Sequence, residues 1–100
     1  MYTIDLTIPI KNANDEGYID GETPVLLGAV LVRILDMARE GGKYKLFNLA
    51  VLCAKEKKIT IDASDFSLIR NAVEKTDVYP SNIVIGRVLE ILEASKVEKE

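Results

Sequence analysis

The stretch TPVLLGAVLVRILDM, residues 23–37, decides how the rest of this chain has to fold. Thr23 followed by Pro24 is a preferred opening of a helix, with threonine as the N-cap and proline in the first turn. The glycines Gly41 and Gly42 predict where the helix ends. Between these limits nearly every side chain is apolar, and Arg33, Asp36 and Glu40 form one narrow polar stripe. A helix that is apolar on nearly all sides is a buried helix, so other elements have to cover it.

The N-terminal segment YTIDLTIPI, residues 2–10, supplies one such cover. Its apolar residues alternate with polar ones and include many β-branched types, which predicts a strand with one buried face. Residues 18–19 and residues 59–61 are the two candidate partners of this strand. Gly28, inside the predicted helix, costs about 1 kcal/mol relative to alanine, and we therefore expect a strand or a helix to cross it closely.

Three more helices are predicted downstream. The apolar residues of KYKLFNLAVLCAKE place a second helix at residues 43–56. Asp62 begins a third helix, because Asp65 follows three residues later as in a capping box. A fourth helix begins at Pro80. The inward-facing residues of these last two helices are predicted to be Phe66, Ile69, Ala72, Val73, Val84, Val88, Ile91 and Leu92.

These patterns predict an α+β fold that is mainly helical, in which an N-terminal β-strand or hairpin packs on a cluster of about four helices. Residues 1–94 are predicted to form a single compact domain, because a chain of 100 residues has enough apolar material for one core and not for two. Residues 95–100, SKVEKE, are predicted to be a disordered charged tail.

The segment NANDEGYIDGET, residues 12–23, has oxygen-bearing side chains in a rhythm close to that of a calcium-binding EF-hand loop. The position of the closing glutamate is held by Thr23, and the segment before the loop is predicted to be a strand and not a helix. Asn, Asp and Gly also favour ordinary turns, because they tolerate left-handed backbone and bond their own main chain. We therefore interpret the segment as a hairpin turn and expect no metal there.

The composition argues against several classes of function. The chain has no histidine, which removes the usual general base near neutral pH and the commonest zinc ligand. Its single cysteine, Cys53, lies in an apolar run and is interpreted as a buried hydrophobic residue. Asp62 and Asp65 are interpreted as helix caps, not as a catalytic pair. We therefore expect a protein that is not an enzyme and has no cofactor.

Charge and hydropathy limit the partners in the same way. The formal net charge is −3, and the lysines and arginines are scattered, so we expect no nucleic-acid partner. The one basic cluster, KEKK at residues 55–58, is interpreted as the cationic end of a helix. The longest apolar run, Val25–Val32, is too short to span a membrane. The single cysteine and a start without signal-peptide features favour a cytosolic protein.

The chain as a whole resembles a group of small bacteriophage proteins of about this length and unassigned role. The resemblance covers residues 1–92 and lies in DLTIPI (5–10), GYIDG (17–21), TPVLLGAVLVRIL (23–35), KYKLFNLAVLCA (43–54), ITIDASDFSLIRNAV (59–73) and YPSNIVIGRVLEIL (79–92). Ser81 stands where such proteins often have a second proline, and serine also suits a helix start. The resemblance carries over no catalytic residue. It implies a phage-encoded accessory protein that acts in the cytoplasm of the infected bacterium.

Three functions are compatible with the sequence. The favoured one is a small rigid domain that binds a host or phage protein and modulates it. An alternative is an oligomer that binds a signalling nucleotide, in which Arg33, Lys43, Lys45 or Arg70 would converge on the phosphates. A further alternative is a structural or assembly component of the virion.

The candidate interface residues are Tyr18, Leu27, Leu31, Tyr44 and Tyr79. The tyrosines are included because tyrosine is enriched at protein interfaces. Leu27 and Leu31 are included because so apolar a helix is hard to cover on all sides within a small chain. We therefore predict a homo-oligomer, with a two-fold dimer favoured and this helix at or beside the contact.

Overall fold

The computed structural model describes residues 1–20, 23–79 and 81–95. Over these residues the fold is α+β and mainly helical, as predicted, with four helices and four short strands. In chain order the elements are β1 (Tyr2–Asp5), β2 (Ile19–Asp20), β3 (Thr23–Pro24), α1 (Leu27–Met37), α2 (Lys43–Lys55), β4 (Lys58–Ile61), α3 (Ala63–Lys75) and α4 (Asn82–Ala94).

Over residues 2–5 the N-terminal strand pairs with the second of its two predicted partners, while Ile10 at its far end accepts the main-chain N–H of Tyr18, in the first, at 2.9 Å. β1 is antiparallel to β4, with Tyr2 opposite Ile61 and Asp5 opposite Lys58. The ring of Tyr2 also stacks on Phe66 of α3, with the ring centroids 4.1 Å apart. The small sheet is thereby attached to the helical cluster.

The strand predicted for residues 2–10 has the right buried face but is shorter than expected. The Asp5 carboxylate accepts hydrogen bonds from the Thr7 main-chain N–H at 2.9 Å and from the Thr7 hydroxyl at 2.6 Å. Such a local side-chain turn competes with the ladder and ends regular pairing there. The alternation nevertheless continues beyond the turn, because Ile4, Leu6 and Ile10 are all buried.

The predicted start of α1 at Thr23 is wrong, since that residue lies in β3 and the helix begins at Leu27. The helix has no side-chain cap. Its first N–H groups, those of Leu27 and Gly28, instead donate to the main-chain oxygens of Ile8 and Leu6, each at 2.9 Å. Main-chain carbonyls of the N-terminal segment therefore satisfy the donors that a threonine cap would have served.

The close crossing predicted at Gly28 is confirmed. A Cβ at this position would lie 3.2 Å from the Leu6 Cβ and 3.3 Å from the main-chain oxygen of Cys53. The N-terminal segment and α2 therefore both approach the α1 backbone at this glycine. Helix α1 is covered from both directions, and it forms the centre of the core.

The core is one cluster that draws residues from every helix and from β1 and β4. The fully buried side chains are Ile4, Ile10, Leu27, Val30, Leu31, Ile34, Leu35, Ile69, Val73, Val88 and Leu92. The inward faces predicted for α3 and α4 are confirmed at Phe66, Ile69, Val73, Val88 and Leu92, while Ala72, Val84 and Ile91 are partly buried against the core.

The cap predicted at Asp62 is confirmed, because its carboxylate accepts the main-chain N–H of Asp65 at 2.8 Å. Replacing Asp62 by alanine should therefore lower the free energy of unfolding by about 0.5–2 kcal/mol, as loss of an N-cap does elsewhere. Urea titration followed by circular dichroism measures the change. Ser64→Ala, an exposed substitution in the first turn of the same helix, is the matched control and should stay within about 0.5 kcal/mol of wild type. Equal effects of the two substitutions would contradict the capping role.

Helix α4 begins at Asn82, and the Ser81 hydroxyl caps it by accepting the Val84 N–H at 3.3 Å. The start predicted at Pro80 lies outside the described residues. Ser95, predicted to open the charged tail, instead donates its hydroxyl to the Ile91 main-chain oxygen at 2.7 Å and closes the helix. The rest of the predicted tail, residues 96–100, also lies outside the described part of the chain.

The EF-hand-like segment contains a hairpin turn, as interpreted. Lys11 and Gly17 face each other across it in an antiparallel bridge. The side-chain oxygen of Asn12 accepts the main-chain N–H groups of Asn14 at 2.8 Å and Glu16 at 3.0 Å. The oxygen that would be the first calcium ligand is thus used to shape the turn.

Arg87 of α4 holds this turn against the helical cluster. Its guanidinium donates to the main-chain oxygen of Asn12 at 2.9 Å and to the Asp15 carboxylate at 2.7 Å. Asp15 has a positive φ of 64°, in the left-handed region that aspartate tolerates better than most residues. The turn is therefore a docked structural connection.

Candidate functional site

Helix α2 exposes two neighbouring aromatic side chains. Its inner residues Leu46, Leu49 and Cys53 are buried in the core. Successive helix residues are rotated by about 100°, so Tyr44 and Phe47 lie on the outer side, where they are 76% and 57% exposed. Their rings stack on each other with centroids 6.0 Å apart and an angle of 21° between the planes. Large apolar side chains exposed side by side in this way mark interaction surfaces.

The aromatic pair belongs to a longer stripe, which we call the α2 seam and define as Tyr44, Phe47, Val51 and Ala54. These residues are spaced by three, four and three positions, as are the a and d positions of a helix that packs on another helix. Val51 is partly buried and Ala54 is exposed. The seam therefore presents a continuous apolar line along about three turns of α2.

Lysines flank the seam. Lys43 and Lys55 lie at its two ends, and neither forms an ion pair within residues 1–20, 23–79 and 81–95. Lys45, farther round the helix, is paired with Asp65 of α3 at 3.0 Å. Helix α2 contains no aspartate or glutamate. The surroundings of the seam on this helix are therefore cationic.

A shallow groove of about 260 Å³ runs beside Phe47, between the end of α1 and α2. It is lined by Leu35, Asp36, Ala38, Lys43, Leu46, Phe47 and Ala50. A side chain presented by a partner at the seam could enter this groove and bury against Phe47.

A second concavity of about 370 Å³ lies between the end of α1 and α3. Two ion pairs border it, Glu40 with Lys75 at 2.7 Å and Arg39 with Asp77 at 3.7 Å. The Lys75 ammonium holds the pKa of Glu40 below its usual range, and Glu40 raises the pKa of Lys75. Both cations already have carboxylate partners, so an anionic ligand would have to displace these partners.

The cations considered for a nucleotide are not brought together. Arg70 is paired with Glu74 at 3.2 Å and Glu93 at 3.1 Å. Arg33 lies over the ring of Tyr79, with its guanidinium carbon 5.8 Å from the ring centroid. Lys45 forms an ion pair with Asp65 at 3.0 Å. Three of the four cations are thus held by different partners, and Lys43 is the one of the four without an ion pair or ring contact within the described residues.

Two of the five candidate interface residues are not at the surface of the chain. Leu27 and Leu31 have no exposed surface, because the N-terminal segment, α2 and α3 cover α1 within the single chain. The three tyrosines differ among themselves. Tyr18 and Tyr79 are partly buried against the core, and Tyr44 alone of the three is largely exposed.

Phe47 is the surface residue that sequence reasoning did not single out. The apolar content of residues 43–56 predicts a helix without separating its inner from its outer side. Helical spacing contains the missing signal, because Leu46, Leu49 and Cys53 define one side and Phe47 falls on the other, three residues after Tyr44.

Cys53 is buried, as interpreted from the sequence. Removal from water raises the pKa of its thiol to about 11. We expect a disulfide reagent to react slowly with the folded protein near neutral pH, because the thiolate is the nucleophile. Unfolding in urea should make the reaction fast. A cysteine placed at the exposed position 54 in a Cys53→Ala chain is the control and should react fast without urea; equal rates for the two folded proteins would contradict the burial of Cys53.

Comparison of the chain with protein-family models, with curated proteins and with solved structures finds no match. Within the described residues, no helix has the length and apolar content needed to cross a bilayer. The same residues hold no group of three or more acidic, cysteine or histidine side chains placed to bind a metal ion.

Proposed function

We propose that this chain is a non-enzymatic binding protein that docks on another protein through the α2 seam and modulates it. The observation that carries the proposal is the stacked pair of Tyr44 and Phe47, held in solvent on a helix whose other side is packed in the core. A rigid exposed aromatic pair has little conformational entropy to lose on binding and much apolar area to bury.

The surroundings of the pair support a protein partner. Binding energy at interfaces is concentrated in a few aromatic residues next to pockets, surrounded by a polar rim. Phe47 lines the groove beside α2, and Lys43 lies on the same groove. The α2 seam thus has an apolar centre, an adjacent depression and a charged border.

The biological setting of the proposal comes from the sequence resemblance. It implies an accessory protein encoded by a bacteriophage, which binds a host or phage protein in the cytoplasm of the infected cell. The geometry does not favour the nucleotide-binding alternative, because three of the four candidate cations are held by separate partners.

Self-association stays a prediction. Leu27 and Leu31 no longer support it, because both side chains are buried within the single chain. Light scattering from micromolar to millimolar protein measures it. A two-fold dimer predicts twice the mass of one chain, and a constant mass of one chain would contradict it.

Photo-crosslinking in infected cells tests the proposed function. A benzophenone amino acid replaces Tyr44 in one variant and Ile83, an exposed residue of α4, in the matched control. The proposal predicts a defined cross-linked protein from position 44 that is absent from position 83. The same products from both positions, or none from position 44, would contradict it.

A further inference from the structure

We propose that the α2 seam receives an acidic amphipathic helix of the partner. The proposal rests on the protein-binding function above and names the chemistry of the segment that docks. It follows from two separate features of α2, the spacing of its exposed apolar residues and the sign of its uncompensated charges.

The spacing selects a helix as the docking element. Tyr44, Phe47, Val51 and Ala54 follow the three-four-three spacing with which one helix meets another at a shallow crossing angle. The groove beside Phe47 runs between α1 and α2, so an apolar side chain of the incoming helix has a place to enter. An extended peptide needs an unpaired strand edge for its main-chain hydrogen bonds, and a helix surface has none.

The charges select an acidic partner. Helix α2 carries three lysines and no carboxylate, a formal charge of +3 in a chain whose total is −3, and of the three only Lys45 forms an ion pair within the described residues. Lys43 is at the N-terminal end of α2, where the helix dipole disfavours a cation, and no carboxylate within the described residues pairs with it. Carboxylates on a docking helix would neutralise both Lys43 and Lys55.

A second copy of α2 fits the seam poorly. If two α2 helices met along their seams, Lys43 and Lys55 of one copy would face only lysine, asparagine or alanine flanking the seam of the other. Like charges placed opposite each other at an interface disfavour the pairing. One carboxylate, Asp36 of α1, lines the groove, and it does not lie on α2. The occupant that fits is therefore a helix with carboxylates beside its apolar line.

Two designed helical peptides test this inference on the whole protein. Both peptides carry the same line of leucines along one side of the helix. One has glutamate and the other has lysine at the positions that flank this line. Amide chemical-shift changes in the labelled protein give the affinity and the location. We expect the acidic peptide to bind about tenfold more tightly at low salt, to lose much of this preference as salt rises, and to shift Tyr44 and Phe47. The variant with Lys43→Glu and Lys55→Glu should prefer the basic peptide.

The other outcomes overturn the inference. Equal affinities, an unchanged preference in the charge-reversed variant, or shifts confined to the cleft between α1 and α3 each contradict it. Shifts of Tyr44 on raising the protein concentration alone would identify a second copy as the occupant. Tighter binding of a single-stranded oligothymidine at the seam would identify a nucleic acid. If neither peptide binds while Tyr44 still cross-links a protein in cells, the inference of an acidic docking helix is wrong and the proposed function stands.

Discussion

Replacing Leu31 by alanine should lower the free energy of unfolding by about 2–5 kcal/mol, as removal of a fully buried leucine does in other cores. Leu31 has no exposed surface and lies near the middle of α1, in a core cluster that includes residues of the N-terminal segment and of all four helices. The truncation leaves a cavity that close-packed neighbours fill only in part. Urea titration followed by circular dichroism measures the loss.

The matched control is Leu52→Ala on α2, the same substitution at a leucine that is 36% exposed. It should cost clearly less than Leu31→Ala, because it removes fewer contacts and leaves no enclosed cavity. Leu31→Ala should not change the molecular mass that light scattering measures in solution, as long as the protein is folded. A small stability loss accompanied by dissociation of an oligomer would contradict the burial of Leu31 and restore it as an interface residue.

Replacing both Tyr44 and Phe47 by alanine should abolish partner binding and leave the fold intact. Because both side chains are mostly in solvent, we expect the free energy of unfolding to change by no more than about 1 kcal/mol. Truncation of a hot-spot aromatic costs about 2 kcal/mol or more, so loss of the pair removes about 4 kcal/mol and should lower the affinity for the cross-linked partner by about a thousandfold. Titration calorimetry with the purified partner gives the affinity, and thermal unfolding gives the stability.

Ile83→Ala is the control for this double variant, because Ile83 is a large apolar side chain that is 43% exposed on a different helix. Its affinity for the partner should equal that of the wild type. If the double variant binds as tightly as the control, the α2 seam is not the docking surface. If it unfolds, the assignment of both rings to the outside of α2 is wrong.

Sequence patterns predict the elements of this fold better than their boundaries. The apolar excess of residues 25–37 correctly indicates a buried helix, and Gly28 correctly indicates a close crossing, because both signals reflect packing density. The start of α1 is missed because main-chain oxygens of Leu6 and Ile8 replace a side-chain cap. These oxygens are more than fifteen residues away and belong to the main chain, so the residue types near the start of the helix do not indicate them.

The candidate site is predictable only in part for a related reason. Counting apolar residues shows that the chain has more of them than one core needs, but it does not show which ones remain outside. The scarcity of polar residues in α1 predicts Leu31 at an interface, and yet in the tertiary structure this side chain has no exposed surface. Phe47 was not singled out, although its spacing from Tyr44 places both on the side of α2 opposite Leu49.

Hydroxyl-radical footprinting of the protein with and without its cross-linked partner tests the central claim most directly, because it reports side-chain exposure residue by residue. Tyr44, Phe47, Met1 and Met37 are all more than half exposed in the free chain and react with hydroxyl radicals. Docking through the α2 seam predicts that oxidation of Tyr44 and Phe47 falls several-fold in the complex, while oxidation of Met1 is unchanged. Protection of Met37, in the cleft between α1 and α3, with Tyr44 and Phe47 still oxidised as in the free protein, would contradict the claim.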